Sequence, residues 1–333
     1  MKAITINKFG HPNETFETIE YPVPLIGDDD VLIKVMATSI NPIDYKIRGG
    51  YLPHLVPSFP AILHCDVSGI VEQVGSNVTE FQIGDHIYGC IGGVAGIDGA
   101  LAEYTKADYR LLSRMPKNLN FAEAAAIPLV GITAYEAIFQ RANIQPGQKI
   151  LVYGSIGGVG HLALQFAKAL GAEVYATVSN EMQAVIAKKL GADYTINYKE
   201  ETVENFVAEY TGGKGFDLVF DTIGNQNLYN SFNAVKIKGT VVTTLSLDTI
   251  DISPVHEKAL EFHTVYMIIP ILYNDIAGKI EHGQILKHIT RLVEQGKVKP
   301  LIDKRKFTFG QIAEAHQYAE TNGNTGKIAI TVN

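Results

Sequence analysis

The sequence is poor in cysteine, in clustered positive charge and in long apolar runs, and each shortage excludes a class of protein. Cys65 and Cys90 are its two cysteines among 333 residues, so a disulfide framework is excluded and a reducing compartment fits. Lysine and arginine number 28 against 35 acidic residues, a net charge of −7, which argues against a nucleic-acid surface. We interpret the densest basic run, Lys304-Arg305-Lys306, as a solvated turn.

Neither a membrane segment nor a secretion signal is evident. The segment Met1–Phe9 alternates like a strand and has no apolar signal core. No stretch is long and apolar enough to span a bilayer. With 46% hydrophobic and 19% charged residues, the composition is typical of a globular protein, and the length allows two domains. We therefore expect a cytoplasmic protein that binds neither membrane nor nucleic acid.

A glycine-rich turn stands between a predicted strand and a predicted helix. The apolar run Lys149–Tyr153 ends in four closely spaced glycines, and a helical pattern follows at once; the glycines are Gly154, Gly157, Gly158 and Gly160. Unpaired backbone N–H groups and the helix dipole at such a turn attract an anion, usually a phosphate. The turn is therefore the first candidate for a binding site.

Strands and helices alternate after this turn, which predicts a parallel sheet with helices on both faces. The predicted strands are 149–153, 173–178, 193–197, 216–221, 239–245 and 263–269. The predicted helices are roughly 158–170, 181–190, 200–210 and 226–235. In this architecture ligands bind at the carboxyl edge of the sheet, where the glycine turn lies.

The flanking regions have another character. Residues 1–115 are predicted to be β-rich, with strands at 31–37, at 67–74 and after Gly84. An alanine-rich helix is expected near 121–128 and continues through 131–138. The C-terminal region is predicted to hold a helix at 284–295, a short strand at 306–309, a helix at 312–320 and a final strand at 326–332.

The spacing of the glycines favours a dinucleotide over a nucleoside triphosphate. The usual pattern G-x-G-x-x-G is not met, because Ser155 occupies its first glycine position. No Lys-Ser or Lys-Thr pair follows Gly160, so a P-loop is excluded. A tight strand–helix connection without a ligand is the alternative, but the turn lies within repeated strand–helix units, as a dinucleotide site requires.

The end of the second predicted strand favours NADP over NAD. An NAD site usually has a carboxylate there to accept a hydrogen bond from the ribose 2′-OH. This chain has Ser179 and Asn180, two small neutral residues that tolerate a 2′-phosphate. Helix capping by Ser179 is the alternative interpretation.

Several segments together resemble the medium-chain dehydrogenase/reductase superfamily and, within it, the zinc-free quinone oxidoreductase group with the alkenal and enone reductases. They are Asn41-Pro-Ile-Asp44, Cys65-Asp-Val-Ser-Gly-Ile-Val71, Val78-x-x-Phe-x-x-Gly-Asp85, Gly99-Ala-x-Ala-Glu-Tyr104, the glycine turn, Asp221-Thr-Ile-Gly224 and Gly326-Lys-Ile. The resemblance covers essentially the whole chain. It implies an α/β protein, with a GroES-like β-rich catalytic domain (1–124 and 272–333) around a Rossmann domain with a doubly wound parallel six-stranded sheet (125–271).

The resemblance also implies NADPH in the cleft and a homodimer formed by edge pairing of the Rossmann sheets. In this chain the apolar segment Val265–Ile269 is the expected dimer strand. Zinc-dependent relatives have a cysteine ligand near the position of Asn41, a Gly-His-Glu in place of His64-Cys65-Asp66, and a loop of four cysteines. This chain lacks these features, and we expect no metal.

Residue roles follow from the resemblance position by position. The expected cofactor-binding residues are Asn41, Thr133, Ser155, Gly157, Gly158, Val159, Ser179, Asn180, Tyr198, Thr222, Gly224, Leu245, Ser246, Asn324 and Lys327. Gln183 stands where relatives carry a lysine. Asp44 and Arg48 are expected to brace their loop.

Hydride transfer to an enone or quinone leaves negative charge on oxygen, which hydrogen-bond donors would stabilise. The catalytic candidates are Asn41, Lys46 and Tyr51.

The leading hypothesis is an NADPH-dependent, zinc-independent reductase of quinones or α,β-unsaturated carbonyls, which are small-molecule substrates. A zinc-free NADP-dependent alcohol dehydrogenase is the first alternative. A non-catalytic NADPH-binding or sensing protein is the second. The sequence does not name the acceptor or the proton donor.

Overall fold

The computed structural model describes residues 1–56, 58–244, 249–321 and 323–332. The chain divides into two compact units. The first unit contains Met1–Ile132, Ile268–Gly296 and Pro300–Asn333, and the second contains Thr133–Met267 and Lys297–Lys299. No helix within the described ranges has both the length and the apolar character that crossing a membrane requires.

The strands of the described residues are numbered here in chain order. They are β1 (Lys2–Ile6), β2 (Phe16–Glu20), β3 (Asp30–Ser39), β4 (Asp66–Val74), β5 (His86–Cys90), β6 (Tyr104–Asp108), β7 (Leu112–Arg114), β8 (Lys149–Tyr153), β9 (Glu173–Val178), β10 (Tyr194–Asn197), β11 (Phe216–Asp221), β12 (Val235–Thr243), β13 (Glu261–Thr264), β14 (Phe307–Thr308) and β15 (Ala329–Thr331).

The α-helices of the same residues are numbered in the same way. They are α1 (Pro12–Thr15), α2 (Pro42–Arg48), α3 (Phe121–Ala125), α4 (Pro128–Tyr135), α5 (Gly160–Ala169), α6 (Glu181–Lys189), α7 (Val203–Thr211), α8 (Asn227–Ala234), α9 (Ser253–Glu257), α10 (Ile269–Leu272), α11 (Ile276–Glu294) and α12 (Ile312–Glu320).

The second unit is built on a six-stranded parallel sheet with the order β10-β9-β8-β11-β12-β13. Its central strands are almost wholly apolar and buried because helices cover both faces. One side of the core contains Leu151, Tyr175, Phe216 and Phe232. The predicted parallel sheet and the doubly wound architecture are confirmed.

The sixth predicted strand is wrong in its second half. Strand β13 ends at Thr264, and Val265–Ile268 lie outside any strand, with Val265, Met267 and Ile268 buried. The apolar character that suggested an edge strand at 265–269 therefore comes from packing in the core. The outer strand of the sheet is Glu261–Thr264, whose side chains are exposed or half-buried.

The first unit is β-rich, as the sequence predicts. Strands β14-β15-β3-β4-β5-β7 form one sheet, with β6 paired to β3, and β1 and β2 form a separate hairpin. Its core contains Val31, Ile33, Val67 and Ile87, and most of their neighbours along the strands are buried too, so these strands are covered on both faces. The predicted helix at 284–295 is longer than expected and begins at Ile276.

Candidate active site

The glycine turn follows the carboxyl end of β8 in the second unit. Gly154 has φ +67°, and a Cβ at this position would lie 2.3 Å from Thr222 Oγ1. A Cβ on Gly160, the first residue of α5, would lie 2.1 Å from the carbonyl oxygen of Gly154. The turn therefore accepts no side chains at these positions, and it leaves the backbone at the start of α5 open to a ligand.

Two side chains fasten this turn to neighbouring strands. Ser155 is buried, and its Oγ donates to the carbonyl oxygen of Thr177 at 2.7 Å. Thr222 Oγ1 donates to the carbonyl oxygen of Tyr153 at 2.8 Å. Both hydroxyl hydrogens are thus used within the protein, so a ligand would meet the backbone of Ser155 and not its hydroxyl hydrogen.

The predicted ribose-binding residues lie at the carboxyl ends of β9 and β10. The backbone N–H and Oγ of Ser179 both donate to Gln183 Oε1, at 2.8 and 2.9 Å. Asn180 is the N-cap of α6, and its side chain accepts from the backbone N–H of Gln183. Asn180, and not Ser179, therefore caps the helix. Tyr198 follows β10 and is 54% exposed.

The third group at this edge follows β11. Asp221 is buried, and its Oδ1 accepts from the backbone N–H groups of Ile223 at 2.8 Å and Gly224 at 3.1 Å. This carboxylate shapes the loop that carries Thr222 and Gly224. Thr133 is a buried residue of α4. Leu245 and Ser246 lie outside the described residues.

One edge of the second unit thus brings together most of the predicted cofactor-binding residues of that unit. Because parallel strands end at the same side of a sheet, residues far apart in sequence become neighbours there. They are Gly157, Gly158, Val159, Ser179, Asn180, Tyr198, Thr222 and Gly224.

The first unit contains a buried polar network around Asp66. Asp66 Oδ2 accepts from Ser39 Oγ at 2.7 Å and from Asn41 Nδ2 at 2.8 Å, and Oδ1 accepts from the backbone N–H of Leu129 at 2.8 Å. Lys327 Nζ lies 3.5 Å from Asp66 Oδ2. The carboxylate therefore ties together β3, the start of α2, the start of α4 and the segment before β15.

Asn41 and Asp44 fix the start of α2 by reciprocal capping. Asn41 is the N-cap, and its backbone N–H donates to Asp44 Oδ2 at 2.7 Å. Burial raises the pKa of Asp44 to about 7, although the hydrogen bond from Asn41 and the charge of Lys327 oppose the shift. Arg48 bonds to the carbonyl oxygen of Gly10 and forms an ion pair with Glu320. The expectation that Asp44 and Arg48 brace this segment is confirmed.

A second buried chain of hydrogen bonds begins at His316. His64 Nε2 lies 2.9 Å from His316 Nε2, and His64 Nδ1 lies 3.2 Å from Thr38 Oγ1. Thr38 donates its hydroxyl hydrogen to the carbonyl oxygen of Asp66 at 2.6 Å, so it must accept from His64 Nδ1–H. His64 Nε2 then accepts from His316 Nε2–H, and both rings are neutral. Burial lowers the pKa of His64 to about 3 and that of His316 well below its usual range.

The three consecutive residues His64, Cys65 and Asp66 do not converge on a common point. The polar atoms of His64 and Asp66 are used by the contacts above. The pKa of the Cys65 thiol is raised by its hydrogen bond with Cys90 and by burial, and both cysteines are free and buried. Within the described ranges, no group of three or more His, Cys, Asp or Glu side chains is arranged to hold a metal ion.

The remaining predicted residues of the first unit differ in accessibility. Lys46 is half-buried on α2, and Tyr51 is 79% exposed just beyond that helix. Asn324 is half-buried and donates from Nδ2 to the carbonyl oxygen of Gly326 at 2.9 Å. Lys327 is almost completely buried, and its ammonium contacts Asn41. Lys46 and Tyr51 are thus the catalytic candidates with exposed surface.

Sequence reasoning missed the Asp66 network. The sequence alone assigns no role at the site to Asp66 or Ser39, yet Asp66 Oδ2 accepts from Asn41 Nδ2, and Ser39 Oγ donates to the same carboxylate oxygen. One signal was available, since Lys327 directly precedes the mainly apolar segment Ile328–Val332, which contains the chain's last strand. A lysine next to a buried strand requires an acidic partner.

Comparison with known proteins places this architecture in a family. Residues 27–117 match the alcohol dehydrogenase GroES-like domain, and residues 190–330 match the model described as zinc-binding dehydrogenase. The 2-methylene-furan-3-one reductase of Solanum lycopersicum is 35% identical over 99% of this chain and 79% of its own length. The quinone oxidoreductase of Homo sapiens is 31% identical over 99% of this chain and 97% of its own.

A solved structure agrees with these relatives. The quinone oxidoreductase of Escherichia coli, crystallised with NADPH, superposes with a TM-score of 0.87 and 27% identity, over 99% of this chain and 100% of that one. The chain therefore belongs to the medium-chain dehydrogenase/reductase superfamily, in the group of quinone oxidoreductases and alkenal/enone reductases.

Proposed function

We propose that this chain is an NADPH-dependent, zinc-independent oxidoreductase that transfers hydride to quinones or α,β-unsaturated carbonyls. The observation that carries the proposal is the edge of the second unit, where a glycine-rich turn with no room for a Cβ at Gly154 or Gly160 lies beside a second strand that is followed by neutral residues, Ser179 and Asn180. Relatives named for quinone and enone reduction support the acceptor class.

The residues at this edge fit a dinucleotide. Gly157, Gly158 and Val159 would hold the pyrophosphate through their backbone, since they lie directly before the N-terminus of α5. Ser179, Asn180 and Tyr198 would face the phosphorylated ribose, and Thr222 and Gly224 the adenine side. We also propose Thr133, Ser155, Leu245, Ser246 and Asn324 as cofactor contacts. NADPH, when bound, supplies the hydride from C4 of its nicotinamide.

The chain's own residues would hold the acceptor and supply protons. We propose Asn41 as a catalytic residue beside the nicotinamide. Its side chain is buried in this structure, so ligand binding would have to uncover the amide before it can donate to an oxygen that gains negative charge. Tyr51 is 79% exposed and Lys46 is half-buried, and we propose that they donate a hydrogen bond to the acceptor and exchange protons with water. A buried strong acid is not needed, because water can protonate the product.

Zinc independence rests on the donor set of the first unit. The Lys327 ammonium lies 3.5 Å from Asp66 Oδ2 and would repel a metal cation bound to that carboxylate. His64 offers Nε2 to His316 and Nδ1 to Thr38. A metal could bind here only by breaking a buried ion pair and two hydrogen bonds.

We also propose how the chain assembles, where its domains begin and end, and where in the cell it is located. Strand β13 is the last strand of its sheet, and we propose that it pairs with the same strand of a second copy to form a homodimer. We assign residues 125–271 to the nucleotide-binding domain, and residues 1–124 and 272–333 to the catalytic domain. Two free, buried cysteines suit the reducing cytoplasm.

The test is NADPH oxidation with a panel of enones and quinones, before and after chelation of metals. Turnover that is unchanged by the chelator is expected. Reduction of NADP by alcohols, without enone reduction, would favour the alcohol dehydrogenase alternative. Tight NADPH binding with no acceptor turned over would favour a sensing role and contradict the proposed activity. Size-exclusion chromatography with light scattering tests the dimer.

A further inference from the structure

Lys327 is a cation held almost entirely away from water. It is 3% exposed, and its ammonium donates to the carbonyl oxygen of Ile40 at 2.7 Å and to Asn41 Oδ1 at 2.5 Å. Asp66 Oδ2, at 3.5 Å, is its counter-ion. Burial lowers the pKa of Lys327, while Asp66 and Asp44 act in the opposite direction. Burying an ammonium is costly, so its contacts must be nearly complete.

These contacts occupy the ammonium within the protein. A lysine has three N–H donors and no acceptor. Two of them donate to Ile40 and Asn41, and the Asp66 carboxylate lies 3.5 Å away as the counter-ion. Lys327 is therefore satisfied within the protein, and a direct bond to a cofactor would require it to abandon one of these partners.

The same contacts determine the orientation of the Asn41 amide. The ammonium can only donate, so the atom facing it must be Oδ1, and the ionised carboxylate can only accept, so the atom facing it must be Nδ2. Ser39 donates to the same carboxylate oxygen at 2.7 Å and holds it in place. The amide is thus fixed at both ends by groups of opposite charge.

We propose that Lys327 is a positioning residue for hydride transfer, one that orients and polarises the Asn41 amide against Asp66. The proposal rests on the proposed function, in which Asn41 lies beside the nicotinamide. A positive charge at Oδ1 withdraws electrons from the amide and makes both Nδ2–H groups stronger donors. One of them bonds to Asp66. The amide is buried in this structure, so the other N–H would stabilise negative charge on a reacting oxygen once the bound cofactor and acceptor uncover it.

The experiment compares Lys327→Met, Asn41→Ala and the double variant. Lys327→Met should lower kcat by about 100-fold, as misplacement of a reacting group does, and leave the dissociation constant of NADPH within about threefold. The double variant should be no slower than Asn41→Ala alone, because Lys327 acts through Asn41. The matched control is Lys279→Met, which removes another buried lysine of the first unit, paired with Asp108 at 3.1 Å; its kcat should be unchanged.

A spectroscopic measurement separates positioning from mere stability. In the ¹⁵N NMR spectrum, the Asn41 side-chain amide is identified by its loss in Asn41→Ala. Its resonances should shift in Lys327→Met and stay in place in Lys279→Met. If Lys327→Met does not fold, Asp66→Asn/Lys327→Met, which removes both charges together, carries the same test.

Three results would overturn the inference. They are an Asn41 resonance that does not move, additive losses of kcat in the double variant, or NADPH binding weakened in proportion to kcat, which would make Lys327 a direct cofactor ligand. An inactive wild type would instead contradict the proposed function, and the NMR result would still decide the role of Lys327.

Discussion

Two regions of the molecule differ in the residues that form them. One is the carboxyl edge of the sheet in the second unit, here called the cofactor edge because we propose that NADPH binds there, and the other is the Asp66 network of the first unit. The edge is made of glycines, backbone and small neutral side chains, and several of its residues are exposed or half-buried. The network is made of a carboxylate, an ammonium and an amide, each almost completely buried. The edge is suited to receive a large ligand, whereas the network is suited to hold one small group in a fixed orientation.

The two sites should therefore fail in different ways. A change in the glycine turn or at Ser179 should mainly weaken ligand binding, since these residues carry no charge. A change in the network should cost stability first, because it leaves a buried charge without its partner.

The largest effect is expected from Asp66→Asn. This substitution keeps the shape of the side chain but leaves the Lys327 ammonium buried without a counter-ion. We expect the free energy of unfolding, measured by urea denaturation, to fall by about 3–5 kcal/mol. Asp217→Asn is the control, because its partner Lys236 is partly exposed, and such a pair contributes about 1 kcal/mol or less. Equal losses of unfolding free energy in Asp66→Asn and Asp217→Asn would contradict the claim that the buried ion pair matters more than the partly exposed one.

The second effect is a pH dependence that arises from the buried histidines. The pKa of His64 is about 3 and that of His316 is well below normal in the folded protein. Below about pH 6.5, these two side chains therefore bind more protons in the unfolded chain than in the folded one. Their contribution to stability is full above that pH and is lost as the pH falls toward 3. Asp44 has a raised pKa of about 7, so the pH dependence of its contribution to stability has the opposite sign. That contribution is present at low pH and is lost as the pH rises through 7.

His316→Gln isolates one of these groups, because the glutamine amide can still donate to His64 Nε2. Between pH 6 and 4, the unfolding free energy of the variant should fall less steeply than that of the wild type, by about 1.4 kcal/mol per pH unit. Urea denaturation at several pH values gives both slopes. Parallel slopes would show that His316 is protonated in the folded protein.

The smallest effect is expected at the end of β9. Ser179→Asp places a carboxylate where we expect the 2′-phosphate, and the serine contacts with Gln183 are lost. The affinity for NADPH should fall about tenfold, equal to about 1.4 kcal/mol, while that for NADH should not fall. Ser179→Ala, with no added charge, is the control in the same fluorescence titrations. A wild type that already prefers NADH would contradict our interpretation of this strand.

The cofactor edge could be predicted from the sequence because its signals are local. Gly154 to Gly160 follow one strand directly, and Ser179 and Asn180 follow the next, so periodicity and spacing were sufficient. The sixth strand was misplaced because burial of Val265 and Met267 gives the same apolar pattern as an edge strand. Nothing local distinguishes these two cases.

The Asp66 network could not be predicted in the same way. Ser39, Asp66 and Lys327 are up to 288 residues apart in sequence, and their meeting depends on the register of β3 with β4 and β15. The segment Asn41–Asp44 was recognised by resemblance, but the orientation of the Asn41 amide follows from which charges face it. Such contacts emerge only when the sheet is assembled.

The most direct test of the whole account is a rapid-mixing experiment on Gly160→Ala and Asn41→Ala, in which NADPH binding and its oxidation by an enone are followed separately. Gly160→Ala places a Cβ against the backbone of Gly154 and should lose NADPH binding by about 100-fold or more. Asn41→Ala should bind NADPH nearly as the wild type does and oxidise it about 100-fold more slowly. Unimpaired binding by Gly160→Ala, or unimpaired oxidation by Asn41→Ala, would contradict the account.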